Sequence, residues 1–258
     1  MTPEEPDTRP HIVFLSRDDY NRTRMESPKL LVDPVTRVVP LPLRPPDSED
    51  PALRGLAGEL RPGTILLRNT FGGGAYIDAA AAYELISVAK FNLFANVCQM
   101  LGATRLEVNE MREVDDHGTV KGSVDLRVSV GHGSGTLSRD SSRKVAGSIK
   151  GLWVWKSGSG AGDAERAAAY ATAEHISGDP VIAGLIQQCR FAGNALSEHV
   201  LELNISSEAQ RAVQGAMKIE SVLGRNFGPA FDATFSSLSK HTEQLVLQVR
   251  VVFTPPGT

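Results

Sequence analysis

The sequence predicts an α+β fold: a long, mostly antiparallel, twisted β-sheet of about seven strands with helices packed on one face. Three observations predict it. Residues 118–130 alternate along their whole length, with Val120, Val124, Leu126, Val128 and Val130 on one side and Thr119, Lys121, Ser123, Asp125, Arg127 and Ser129 on the other. Successive side chains of an extended chain point to opposite faces, so this is a strand with one apolar and one wet face. Similar runs fall in two blocks with hairpin-length links, separated by a helical pair, which is the pattern of an antiparallel sheet. A single long helix-like segment precedes the first block.

With 258 residues, the chain has length for one large or two small domains and ample core. Charged residues make up 22% and hydrophobic ones 41%, ordinary for a globular protein. A net charge of -3 supplies no general attraction for nucleic acid or an anionic membrane, although a local basic patch stays open. Early acids and no apolar run at the N-terminus argue against a signal peptide, and no stretch approaches the roughly 20 apolar residues of a spanning helix. The expected location is the cytoplasm, with membrane association after activation left open. Cys98 and Cys189 sit in apolar, helical-looking segments and read as buried free thiols.

Residues 1–60 read as a proline-rich, irregular N-terminal arm, and 61–258 as one α+β domain. Ten of the 15 prolines fall in the arm, where they cannot hold a helix or a central strand. HIVFLSR (11–17) and KLLVDPVTRVV (29–39) are apolar enough to dock as edge strands or extended pieces. The arm also offers a proline-rich docking surface for a protein partner. GTILLRN (63–69) is a short buried strand. Asp78 caps a helix running to Leu101, stopped by Gly102, with Ile86, Ala89, Leu93, Val97 and Met100 as its stripe. Residues 104–114 form a strand that turns through DDHG into the alternating run. A second run carries Val145, Ile149, Trp153 and Trp155 back, after SRDSSRK, a loop or projecting ribbon. Helices follow over 163–176 and 179–191, the second begun by Asp179-Pro180. Further strand faces are Leu201, Leu203 and Ile205; Val213, Met217, Ile219 and Leu223; Phe231, Ala233 and Phe235; and Leu245, Leu247, Val249, Val251 and Phe253.

No catalytic, cofactor or metal motif stands out. The three glycines at 72–74 lack the G-K-[ST] or G-x-G-x-x-G of a phosphate loop. The six histidines make no H-x-H or H-E-x-x-H arrangement. On a strand, His199 points away from Glu198 and Glu202. Asp115 and Asp116 belong to a turn, where aspartate is common, and His132 lies in the glycine-rich GHGSG. Trp153 and Trp155 fill the core or mark a carbohydrate or membrane-interface site.

The order of parts resembles the pore-forming domain of gasdermins, and distantly their bacterial members. A helix ends at NVCQMLGA, alternating strands follow, then a helical pair ending in LIQQCRFAGN, then VLGRNFGPAFDATFSSLSKHTEQLVLQVRVVF. The resemblance implies a non-enzymatic, membrane-targeting effector that self-assembles into pores once a restraint is lifted. Two departures stand out: only TPPGT follows Phe253, and no cysteine precedes Cys98. The residues that would form a membrane or interaction hairpin are Ser138, Arg139, Arg143, Lys144, Trp153, Trp155, Phe231, Phe235 and Lys240. The alternative is a soluble α+β interaction scaffold, with an enzyme of unrecognised site third. A pore former should keep 137–144 and 225–240 weakly packed. A scaffold should hold them as ordinary sheet. No cofactor, metal or nucleic acid is expected.

Overall fold

The computed structural model describes residues 9–54, 60–126, 137–149, 153–155, 162–191, 197–223, 229–239 and 243–253. The fold is α+β, with two sheets in place of the expected single one. The chain separates into two compact units: Met1–Asn69, Gly74–Tyr83 and Gln210–His241 make the first, and Thr70–Gly73, Glu84–Ala209 and Thr242–Thr258 the second.

The first unit holds β1 (His11–Ser16), α1 (Arg17–Glu26), α2 (Pro28–Leu31), β2 (Thr36–Leu41), α3 (Pro51–Arg54), β3 (Ile65–Arg68) and β4 (Tyr76–Asp78), in a sheet of order β2-β1-β3-β4. β1 and β2 are parallel, while β3 is antiparallel to both β1 and β4. Residues 11–41, expected to be part of an irregular arm, therefore contain an interior strand and its parallel neighbour. The physical reason is the unbroken apolar run of β1. Ile12, Val13, Phe14 and Leu15 are all fully buried, so both faces are covered, as in a strand inside a layered sheet. The prolines do not prevent it, because Pro40 lies in β2 at the end of the strand order, where a missing N–H is tolerated. Ile12, Phe14, Val39, Leu53 and Leu66 form one core cluster of this unit.

The second unit is a sheet of order β6-β5-β9-β8, from β5 (Ala103–Val114), β6 (Val120–Asp125), β8 (Glu198–Asn204) and β9 (Gln244–Phe253), with β7 (Trp153–Val154) also on β5. Every pairing is antiparallel. β9 alternates strictly: Leu245, Leu247, Val249, Val251 and Phe253 are buried, and the residues between them are half-exposed. On the wet face Arg250 pairs with Glu198 and Glu107, and Arg112 with Glu202. The long helix α4 (Ala79–Met100) is as expected at both ends. Asp78 accepts from the Ala80 N–H at 2.7 Å, and Gly102 at φ +85° provides the left-handed stop. In the second unit α4 meets α6 (Ala164–Ala173) through Asn96 and the Tyr170 hydroxyl, 2.9 Å apart. α7 (Pro180–Arg190) starts at its Asp179 cap.

Three segments read as strand or loop are helices: α5 (Asp140–Ile149), α8 (Ser207–Leu223) and α9 (Pro229–Leu238). In α5 the buried positions are Ser142, Val145, Ala146 and Ile149, a helical stripe. Along α8 they include Ala209, Val213, Ala216 and Ile219. The GHGSG turn with His132, and Lys240, lie outside the described residues.

Candidate functional site

The residues expected to form a hairpin divide between the units. Ser138 and Arg139 lead into α5, and Arg143 and Lys144 sit on it, exposed. Ser138 donates its N–H (2.8 Å) and its hydroxyl (2.6 Å) to one oxygen of Glu113 on β5. Arg139 pairs with Glu243 at 2.7 Å, and Arg143 with Asp140 at 2.8 Å. Trp153 meets Phe91 of α4 edge-on at 6.2 Å and lies 6.3 Å from Trp155. In the other unit Phe231 and Phe235 stack at 6.2 Å on α9, buried. The geometry thus gathers Ser138 onto Glu113 and joins the two tryptophans.

Glu113 was not singled out by sequence, because it falls on the apolar side of β5, two residues from the buried Met111. Burial pushes its carboxyl up, but the Ser138 and Ser142 hydroxyls and the N–H groups of Ser138 and Arg139 draw it below the usual carboxylate range. A carboxylate at the start of α5 also faces the positive end of that helix. It anchors α5 to β5.

Lys90 was hidden in the same way inside the apolar α4. Its ammonium, 1% exposed, lies 2.7 Å from Asp179 and 2.8 Å from Glu208, and donates to the Ser207 hydroxyl at 2.8 Å. The other Asp179 oxygen caps α7 through the Val181 and Ile182 N–H groups. Three acceptors use the three donors of the ammonium, so the cluster pins α4 to the starts of α7 and α8 and has no donor left for a ligand. Cys98 and Cys189 are free; Cys98 is buried, Cys189 half-buried, and burial pushes both thiols up. That removes the thiolate character a nucleophile needs.

One concave site among the described residues is an open hollow in the first unit. A cavity of about 420 Å³ is lined by Ser16, Leu41, Pro42, Leu43, Leu60 and Pro62. Its place follows from the topology. The parallel strands β1 and β2 end in register at Ser16 and Leu41, and a parallel pair delivers the chain to one end of the sheet, where α/β units hold ligands. Leu41, Leu43 and Leu60 rest on the core cluster. Ser16 is the cap of α1: its hydroxyl accepts from the Asp19 N–H at 3.1 Å and donates to the Asp19 carboxylate at 2.6 Å. The segment after the proline-rich wall is tied to β2 by Arg37, whose guanidinium spans Asp47 and Asp50. Burial opposes that charge, but the hydrogen bonds that Arg37 donates to Asp50 and Asp47 outweigh it and raise the Arg37 pKa. The cavity can therefore bury an apolar group against leucine and proline.

Among the described residues no three or more His, Cys, Asp or Glu side chains are grouped to hold a metal ion, and no helix is long and apolar enough to cross a membrane. No protein-family model matches the chain, and no curated protein or solved structure matches it either.

Proposed function

We propose that this protein works by holding a partner, as a non-enzymatic interaction module, and that the cavity of the first unit is where the partner docks. One observation carries the reading: among the described residues the cavity wall is three leucines and two prolines with one hydroxyl, on Ser16, already committed to Asp19. Such a wall supplies burial and shape, worth about 25 cal/mol for each Å² of apolar surface removed from water, and no group for acid–base or nucleophilic work. Selection of a random-peptide library on the intact chain tests it, with Leu43→Asp as the counter-target. Enrichment of peptides that bind the natural chain and not Leu43→Asp supports the reading. No enrichment, or peptides indifferent to Leu43→Asp, overturns it.

Self-assembly on a membrane, as the gasdermin-like order of parts implies, is the second reading, and strand length favours it. β5 and β9 run 12 and 10 residues, against the roughly 9–11 that cross a bilayer in a barrel. Segments 137–144 and 229–238 bear on it too. Leu137, Val145 and Ile149 are buried at α5, and Phe231, Phe235 and Leu238 at α9, so pore formation requires these packed helices to be pulled from their cores. Dye release from anionic and zwitterionic liposomes decides: leakage supports this reading, and its absence with a lipid-free protein removes it.

A further inference from the structure

An edge strand leaves half of its backbone hydrogen-bonding groups unpaired, and folded proteins blunt such edges so that other chains do not add to them. Of the four strands at the ends of the two sheet orders, three are blunted. β2 carries Pro40, which has no N–H; β4 is three residues long; β6 carries Lys121 and joins β5 across a register shift at Glu113/Val114. β8 has none of these devices. It runs seven residues, EHVLELN, with no proline or lysine and no shift in its register with β9. The Ile205 N–H donates to the Leu245 carbonyl, and the Phe253 N–H to the Ser197 carbonyl. The odd-numbered residues of β8 therefore bond to β9, and alternation turns the N–H and C=O groups of Glu198, Val200, Glu202 and Asn204 outward. Among the described residues none of those backbone groups has a partner, and Glu198, Val200 and Glu202 are exposed.

We infer that β8 is a dimerisation edge: two copies of this chain pair antiparallel through it, joining their five-stranded sheets into one. The inference is independent of the docking reading, since β8 and the hollow belong to different units. The strand is complementary to itself in one register. With Leu201 facing Leu201 of the second copy on the two-fold axis, all seven residues pair. Glu198 then lies opposite Asn204 of the second copy, and Val200 opposite its Glu202. These positions face outward on both strands, so each such pair exchanges two hydrogen bonds. Like charges directly opposite are destabilising, and in this register none meet. Sliding the copies by one step of the ladder sets Glu198 against Glu202, or Glu202 against Glu202, and leaves an end of the strand unpaired. Within each copy the carboxylates are already balanced, Glu198 by Arg250 and Glu202 by Arg112. A two-fold contact of this kind is closed, so assembly stops at two copies.

Sedimentation of the intact chain over a concentration series, with amide hydrogen exchange at both ends of the series, tests it. The expected result is a monomer–dimer equilibrium in which the amides of Val200 and Glu202 become protected as the dimer forms. Those of Leu201 and Leu203, which face β9, should be protected throughout. Val200→Glu should weaken dimerisation about tenfold, because it sets two carboxylates opposite each other on both sides of the axis. Val200 is 51% exposed and lies across from Arg250 of β9, so the variant folds, and protection at Leu201 and Leu203 checks that it has. Adding Glu202→Lys to Val200→Glu should restore the dimer, since an ammonium then meets each new carboxylate. A chain that stays monomeric, or a dimer in which Val200 and Glu202 exchange freely, would overturn the inference. Protection of those two amides in the monomer would overturn it too, by placing another segment of the same chain on the edge. Dimerisation that is indifferent to Val200→Glu, or not restored in the double variant, would overturn the self-complementary pairing.

Discussion

β1 and β9 are both interior strands, yet they are built on different rules. In β1 four consecutive residues, Ile12 to Leu15, have no exposure at all, whereas in β9 burial stops at every second residue. The difference is what covers each sheet: β1 is closed on both faces, and β9 turns one face to water and lines it with ion pairs. Substitution can break the comparison at neighbouring positions. Phe14→Ala should cost about 3–5 kcal/mol and Leu15→Ala about 2–5, because each leaves a cavity on its own side. On β9, Leu247→Ala should cost about 2–5 kcal/mol, but Gln248→Ala should stay within about 0.5. Urea denaturation midpoints check this. A Leu15→Ala change as harmless as Gln248→Ala would show that the second face of β1 is open.

Charge obeys the same contrast. Arg250 and Glu198 meet on the wet face with water at hand, and exposed pairs of this kind add little. Lys90 meets Asp179 and Glu208 with almost no water. Lys90→Met should destabilise by up to about 3–5 kcal/mol, since it strands two largely covered carboxylates. Arg250→Ala should leave the midpoint unmoved. The test sharpens when the partners are neutralised together: Lys90→Met with Asp179→Asn and Glu208→Gln should recover most of the loss, because no uncompensated charge remains. A triple variant as unstable as the single one would mean that Lys90 acts through packing of its stem.

Much of the second unit was legible in the sequence, and little of the first. β5, β6, β8 and β9 follow period-two alternation, and α4, α6 and α7 carry their own signals at Asp78, Gly102, Asp163 and Asp179. The errors share one cause. Val145 and Ile149, Phe231 and Phe235, and Val213 and Met217 are each four apart, and a spacing of four satisfies both the strand period and the helix period. What separates the two is the third position away. Ala216 after Val213 and Leu238 after Phe235 are buried, which fits the helix period and not the strict alternation of a strand with one wet face. In the first unit HIVFLS, set among prolines, reads as an edge strand or extended piece, whereas its unbroken apolar run is the mark of the doubly covered interior strand it forms. The candidate cavity was invisible for a different reason: its wall joins residues 16, 41–43 and 60–62, which only the parallel pairing of β1 and β2 brings to one end. Glu113 and Lys90 were missed because a buried charge inside an apolar pattern is identified by its partners, and those come from distant sequence.

A smaller effect probes how closely the first unit is packed. A methyl group added to Gly215 of α8 would meet the His11 imidazole at 2.8 Å from Nε2 and 3.0 Å from Cε1. Glycine to alanine inside a helix ordinarily gains up to about 1 kcal/mol. Here Gly215→Ala should instead cost about 1–3 kcal/mol, the range of an overpacked site. In a His11→Ala background the sign should reverse and the helix gain should reappear. A stabilising Gly215→Ala in the natural chain would mean that α8 can shift freely off His11.

The last contrast is in pH, and it again sets a closed site against open ones. Burial pushes the His11 imidazole pKa down, and the backbone of Val35 and the charge of Asp33, which favour the proton, do not restore it. On α8 the charges one turn from Gly215 are the cations Arg211 and Lys218. The unfolded chain accepts its proton near pH 6.5, above the folded value, so below that point the unfolded state binds more protons. Stability is therefore full above about pH 6.5 and falls as pH drops from there through the lower folded pKa. Urea midpoints taken between about pH 7.5 and 5.5 should decline in the natural chain, and His11→Gln, which cannot titrate, should decline less. An equal decline in both would show that His11 does not carry the acid sensitivity. A reduced decline in His11→Gln would show that the closed end of β1 senses protons through one ring.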